Sequence, residues 1–326
     1  KLIAEFCQNH NGNFNILKQM IHDAAEGGAT HGKIQTIYAD DLSFRKEFET
    51  GSVDRNGQIT CIKRAYQTEY DRLRALELTR EQHRLFIEEC QKFSIIPLTT
   101  VFNITRIAEL KDLGWKTVKV ASYDCASLPL IQELANYFEE LIISTGATYD
   151  HEIETTAQYL NNRKHRFTFL HCVTIYPTPL YEMNLKRMNY LRNFTSSIGL
   201  SEHSLVGKDG VNASLAAIYF GADTIERHFT VLPEDETRDG RVSIHKVHLQ
   251  QLRDFGKLSK EDQKSYLEEK VPMYEKTLGS AKRELSHEEL LNRAYYRGRF
   301  CNKIKEKQIY NWEDSENHRS LISGVV

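Results

Sequence analysis

The 326-residue sequence predicts an α/β fold, a (β/α)8 barrel. Three observations carry that expectation. Short runs rich in β-branched residues alternate with stretches whose apolar residues recur at helical spacing. The alternation continues through eight strand–helix units, the number that closes a parallel sheet on itself rather than leaving it open and doubly wound. Polar or charged residues stand at the C-terminal end of each strand, the rim where barrel enzymes keep their chemistry.

The elements follow in order. The first strand, Leu2-Ile3-Ala4, precedes a helix from about Asn15. Its Leu17, Met20, Ile21, Ala24 and Ala25 share one face, and Gly27-Gly28 ends it. The second strand lies near residues 32–37. A polar insertion over residues 38–78, with turns at Gly51 and Asn56-Gly57, reads as a substrate lid or a partner contact. The rhythm then becomes regular. Helix 80–93 leads into strand 95–100, helix 104–113 into strand 117–121, helix 129–137 into strand 141–144 and helix 151–161 into strand 167–171. Helix 185–194 leads into strand 197–200 and helix 211–220 into strand 224–226, and a last helix covers about 246–255.

Hydrophobic residues make up 40% of the chain and charged residues 27%, enough for a large core under a solvated surface. A net charge of −2 supplies no global field for nucleic acid or an anionic membrane, so an anionic ligand needs a local pocket. No apolar run reaches the roughly 20 residues of a membrane span. The six cysteines are scattered, without a Cys-x-x-Cys pair, as reduced thiols would be. Lys1 opens directly into an apolar run without the pattern of a secretory leader, so a cytoplasmic protein is expected.

Glu5 follows the first strand, Lys33 and Gln35 end the second, and Thr99 and Thr100 the third. Lys119, Ser122 and Asp124 mark the fourth, Ser144 and Thr145 the fifth, and His171 the sixth. Ser201 and His203 follow the seventh, Glu226 and His228 the eighth. His203 and His228, on adjacent strand ends, are placed to share a divalent metal, since imidazole suits Mn, Fe, Co, Ni or Zn. A lone histidine is more often a hydrogen-bonded core residue. Glu5, Glu226 and Asp239 are the carboxylates that would complete or tune a metal shell. Lys33 and Lys119 lie in apolar strands, where a snorkelling surface lysine fits poorly. With Thr100, Ser122, Ser144 and Ser201 they predict a basic, hydroxyl-rich pocket for a phosphate and a carboxylate. A Schiff-base lysine is the rival reading. Asn9-His10 supplies either turn chemistry or contacts to substrate hydroxyls. Tyr176, in Tyr176-Pro177-Thr178-Pro179, either lines a sugar site or packs on the rim.

Taken together, these segments resemble the sialic acid synthase family, which includes N-acetylneuraminate, legionaminate and pseudaminate synthases. The matching motifs begin with Ala4-Glu5-x-x-x-Asn9-His10-x-Gly12, Lys33-x-Gln35-Thr36, Lys119-x-Ala121-Ser122 and Ser144-Thr145-Gly146. They continue with His171-Cys172 and Ile175-Tyr176-Pro177-Thr178-Pro179, Gly199-Leu200-Ser201-x-His203, and Glu226-Arg227-His228-Phe229-Thr230. The resemblance implies a transferase that condenses phosphoenolpyruvate with an N-acetylated amino-sugar aldehyde, N-acetylmannosamine or a diacetamido-trideoxyhexose. The product is a nine-carbon sugar acid, with phosphate released. It implies His203 and His228 as metal ligands, with Mn2+ first and Mg2+ or Co2+ as alternatives. Lys33, Thr100, Lys119, Ser122, Ser144 and Ser201 match positions around phosphoenolpyruvate. The expected catalytic set is Glu5, His203, His228, Glu226 and Asp239, and the expected sugar-binding set is Asn9, His10, Gln35, Tyr176 and Asp239.

The chain departs from the commonest family pattern in places. Cys7 stands where Gly is usual, Glu202 where Asp is, Thr174 where Asn is, and Val101 where Pro is. The barrel is expected over residues 1–282. Residues 283–326 are expected to be a short C-terminal extension, a remnant of the linker and first strand of the antifreeze-like domain that the family usually carries, with a truncated chain as the alternative. That domain reaches a partner's site with an arginine. Here Arg293, Arg297 or Arg299 of a neighbouring subunit would take its place, or the three lie on a solvated helix face. The basic, aromatic extension predicts a homodimer. Two other functions compete. A synthase of octulosonate or heptulosonate phosphate needs a second phosphate pocket, and no further Arg/Lys cluster stands at the strand ends. A non-catalytic sugar-binding relative would have no reason to keep both histidines and both lysines.

Overall fold

The protein is described here by a computed structural model that covers residues 1–271, 273–304 and 307–313. Eight strands form the barrel: β1 (Leu2–Cys7), β2 (His31–Thr36), β5 (Ile96–Val101), β6 (Thr117–Val120), β7 (Glu140–Ser144), β8 (Arg166–Cys172), β9 (Ile198–Glu202) and β10 (Thr224–His228). Within the insertion, β3 (Ser52–Val53) and β4 (Ile59–Cys61) make a small antiparallel hairpin; β11 (Asn302–Ile304) and β12 (Lys307–Ile309) make another near the C-terminus. The barrel closes in the order β1-β10-β9-β8-β7-β6-β5-β2, so the last strand pairs with the first and no edge is left. The predicted (β/α)8 barrel is the observed fold.

The outer helices pack on the strands through the apolar faces read from the sequence. In the helix Phe14–Gly27, Leu17, Met20, Ile21 and Ala24 are buried. Asn13 caps its start by accepting from Asn15 N, and Gly28, at φ 94, ends it with its own N–H on Ala24 and Ala25 carbonyls. Inside the barrel, Ile3, Leu98, Ile142 and Leu170 form an apolar plug. Side chains of a strand alternate between faces, so two residues further along the same strands Glu5, Thr100, Ser144 and Cys172 also point inward. That step from plug to polar layer marks the floor of the site.

Several boundaries differ from expectation for local reasons. The helix expected over 185–194 covers only Arg187–Leu191, because Leu185 and Lys186 donate their N–H groups to Thr277 and Leu278 carbonyls. The one expected over 104–113 begins as a 3-10 turn, Ile104–Arg106, under an Asn103 cap, before the helix Ile107–Asp112. Strands β9 and β10 run on to Glu202 and His228. A helix at Lys260–Lys270 has no clear apolar stripe and buries chiefly Gln263 and Leu267. Where a linker was expected, Ser286 and Glu289 form a reciprocal capping box that starts the helix His287–Tyr296. This helix and the β11–β12 hairpin are the regular elements in the described part of the extension; residues 305, 306 and 314–326 lie outside the described residues. The insertion packs against the extension of the same chain. His287 Nε2 lies 2.7 Å from Ile59 O, and Arg45 spreads over Phe48 and Tyr295. Among the described residues, no helix is long and apolar enough to cross a membrane.

Candidate active site

A cavity of about 450 Å3 opens at the C-terminal ends of the barrel strands. Strand register sets its floor. Glu5 pairs with Lys33 on one side and His228 on the other, while Gln35, Thr100 and Lys119 follow one another across β2, β5 and β6. Lys33 Nζ contacts Glu5 Oε2, donates to Thr100 Oγ1 at 3.1 Å and lies 3.6 Å from Glu226 Oε2. Lys119 Nζ donates to Ser144 Oγ at 2.6 Å and to Val120 O at 3.0 Å, with Glu226 Oε1 3.9 Å away. Ser201 Oγ donates to that same Glu226 oxygen at 2.8 Å. Ser122 Oγ accepts from Gly146 N. All of these side chains are buried.

Burial decides the charge states. It lowers Lys33 to about 7, against the pull of Glu226 and with the push of Lys119. Burial alone would raise Glu226, but Lys119 and Lys33 beside it and the Ser201 hydroxyl hold it below the usual carboxylate range. Burial also lowers both His203 and His228, leaving neutral imidazoles, the form that binds a metal.

The two rings lie 5.2 Å apart between centroids, and Tyr176 covers His203 at 4.1 Å. His203 Nδ1 is 3.9 Å from Cys172 Sγ. His228 Nδ1 is buried, lacks a hydrogen-bond partner among the described residues and stands 3.7 Å from Asp239 Oδ2. Cys7 Sγ donates to that same oxygen at 3.2 Å. The donor set fits a divalent ion: neutral imidazoles, a carboxylate and an orphaned ring nitrogen that an ion would satisfy. Glu5 Oε1 is a second orphan at the floor.

Of the residues named from sequence, Glu5, Lys33, Gln35, Thr100, Lys119, Ser122, Ser144, Tyr176, Ser201, His203, Glu226, His228 and Asp239 all line this cavity. Asn9 and His10 do not. Asn9 Nδ2 donates to Phe229 O and Ser243 Oγ, tying the β1 loop to the segment after β10, and His10 Nδ1 accepts from Gly12 N. Both are buried in turn chemistry, so their expected place in the sugar site is corrected. His171 also turns away, its Nε2 2.6 Å from Met183 O.

The mouth holds residues that strand-end reading missed. Arg64, Arg72, Arg238 and Arg299 line it, drawn from the insertion, the loop after β10 and the extension. Glu69 pairs with Arg72 and Arg299 and lies 3.9 Å from Arg238. Burial would raise Glu69, but these arginines hold it at about 2. Arg64 has no carboxylate partner among the described residues. A second basic cluster therefore exists, built from loops rather than strand ends. The extension's arginines also make contacts within their own chain. Arg299 reaches the mouth of its own chain, and Arg293 binds Ala147 O and Glu152 within it. Neither is on a solvated face.

The NeuB family pattern matches residues 20–263, most of the chain. The chain belongs to the NeuB family. Among its NeuB relatives, the N,N'-diacetyllegionaminic acid synthase of Campylobacter jejuni is 31% identical over 261 residues, covering 77% of this chain and 73% of that protein. The N-acetylneuraminate-9-phosphate synthase of Drosophila melanogaster is 29% identical over 255 residues, 77% of this chain and 65% of that one. The crystal structure of an N-acetylneuraminic acid (sialic acid) synthetase from Leptospira borgpetersenii in complex with citrate matches with a TM-score of 0.67 at 26% identity, covering 90% of each chain. As a NeuB member with this barrel and this site, the chain is an enzyme of the synthase type.

Proposed function

We propose that this NeuB enzyme condenses phosphoenolpyruvate with an N-acetylated amino-sugar aldehyde and water, giving a sialic-acid-like nonulosonic acid and inorganic phosphate. The carrying observation is the pair of buried lysines among strand-end hydroxyls, beside two neutral imidazoles. Lys119, with Ser122 and Ser144, offers charge and directed donors to one anionic group of phosphoenolpyruvate, and Lys33, with Thr100, to the other. His203 and His228, with Asp239, would hold a divalent ion, Mn2+ in the family's usual pattern. When bound, that ion supplies Lewis-acid polarisation of the acceptor carbonyl. The methylene carbon of phosphoenolpyruvate forms the new bond to the aldehyde carbon, and water adds to the carbon bearing the phosphate. Glu5, with an unpartnered Oε1, is positioned to accept a proton from that water. Loss of phosphate by C–O cleavage completes the balance. Phosphate release from phosphoenolpyruvate across a panel of acetamido sugars tests the proposal. Release that needs one such acceptor and stops on chelation is expected; no release with any acceptor overturns it.

A second reading concerns the acceptor. Arg64, Arg72, Arg238 and Arg299 outnumber Glu69 and Glu288 at the mouth, and that cationic excess favours an acceptor bearing a phosphate group. The matched Drosophila relative is by name a synthase of a phosphorylated product. Preference for the 6-phosphate of N-acetylmannosamine over the free sugar, weakened in Arg64→Gln, would select this reading. Equal or better turnover of the free sugar, untouched by that change, would reject it.

A further inference from the structure

Cys7 ends β1 where the register with β2 shifts between Glu5 and Cys7. Its φ is 47°, in the left-handed region that glycine enters freely and a residue with a Cβ enters at a cost of roughly 1 kcal/mol or more. A thiol nevertheless occupies this place, and it is buried. Its sulfur, a His228 ring nitrogen and an Asp239 oxygen lie within 4.8 Å of one another, each offering one ligand atom. The Cys7–Asp239 hydrogen bond satisfies the thiol but leaves the buried His228 Nδ1 orphaned beside it. One ion between the three would satisfy every group.

We infer that Cys7 is itself a ligand of the divalent ion, with His228 and Asp239, and that its thiolate turns the site toward Zn2+, Fe2+ or Co2+ and away from Mg2+ and Mn2+. The inference rests on the metal pair of the proposed function, His203 and His228, and adds a ligand and a metal preference to it. The physical reason is softness: thiolate and imidazole favour borderline ions, whereas Mg2+ demands oxygen. Binding as a thiolate would release the Cys7 proton.

Titration of the metal-stripped chain with Co2+ tests this without recourse to activity. The wild type is expected to develop cobalt d–d bands together with a thiolate-to-cobalt charge-transfer band in the near ultraviolet. Cys7→Gly relieves the left-handed strain, so the barrel keeps its fold. It should lose the charge-transfer band, keep the d–d bands and bind Co2+ at least about tenfold more weakly. Cys172, the other thiol near the site, is controlled by Cys172→Ala, which should retain the band. Three results overturn Cys7 as a ligand and leave the metal reading standing: d–d bands with no charge-transfer band, a band that survives Cys7→Gly, or one that vanishes in Cys172→Ala. A wild type that binds no Co2+ removes the inference together with the metal pair; chelator-insensitive phosphate release would then show that the condensation stands without either.

Discussion

Lys33 and Lys119 are the same side chain in different settings. Lys33 touches Glu5 and sits near Glu226, whereas Lys119 is held mainly by a hydroxyl and a carbonyl. Lys119 is thus the cation more open to an incoming anion. Lys119→Ala should raise the KM for phosphoenolpyruvate about ten- to hundredfold, the worth of one charged hydrogen bond. Unchanged saturation would remove Lys119 from the anion pocket. Lys33 titrates near 7, being charged below and neutral above, so anion binding weakens as pH rises through that value. The kcat/KM for phosphoenolpyruvate in the free enzyme should fall above about pH 7, and Lys33→Met should abolish this inflection along with most activity. A wild-type profile that stays flat through that region would show that Lys33 keeps its proton by other means. Both lysines were legible from sequence, because a charged residue in an apolar strand stands out. Asn9 and His10 were misplaced because turn residues and sugar-contact residues are the same residue types.

At the scale of elements, His203 follows β9 and His228 ends β10, and a buried ion pair locks these strands together. Arg227, beside His228, binds Glu202, beside His203; Glu202 also accepts from Ser204 N at 2.9 Å and Ser214 Oγ at 2.6 Å. Arg227 is fully buried, so removing its partner leaves an uncompensated charge. Glu202→Gln should destabilise the fold by about 3–5 kcal/mol, read as a lower urea midpoint with unchanged slope. A shift below about 1 kcal/mol would mean that the serine and backbone partners suffice without the charge. The residues of this pair were visible in the sequence as flanks of the histidines, but their pairing was not. It depends on the parallel register that sets Arg227 opposite Glu202.

In the whole molecule, two segments far apart in sequence roof the rim. The insertion and the extension meet through Arg45 Nη1 on Ala294 O at 2.9 Å, Ser43 N on Arg299 O at 2.9 Å, and Arg299 on Glu69. Removing residues 283–326 should therefore raise the acceptor KM at least about tenfold, since Arg299 and its neighbours at the mouth are lost. The phosphoenolpyruvate KM should change much less, because Lys33 and Lys119 belong to the barrel. Equal effects on both substrates would mean that the extension supports the floor as well.

The sequence by itself determined the barrel and the floor of its site. Strand periodicity is local, alternation selects which residues face inward, and a closed parallel barrel puts every strand's C-terminal end on one rim. Glu5, Lys33, Thr100, Lys119, Ser144, Ser201, His203, Glu226 and His228 follow from that rule alone. Only the tertiary structure decided the rest. Cys7 meets Asp239, and Arg72 and Arg238 gather with Arg299 around Glu69, through ring closure and the docking of loops. Loops carry no period, and contacts between residues so distant in the chain leave no mark on the local pattern of either segment.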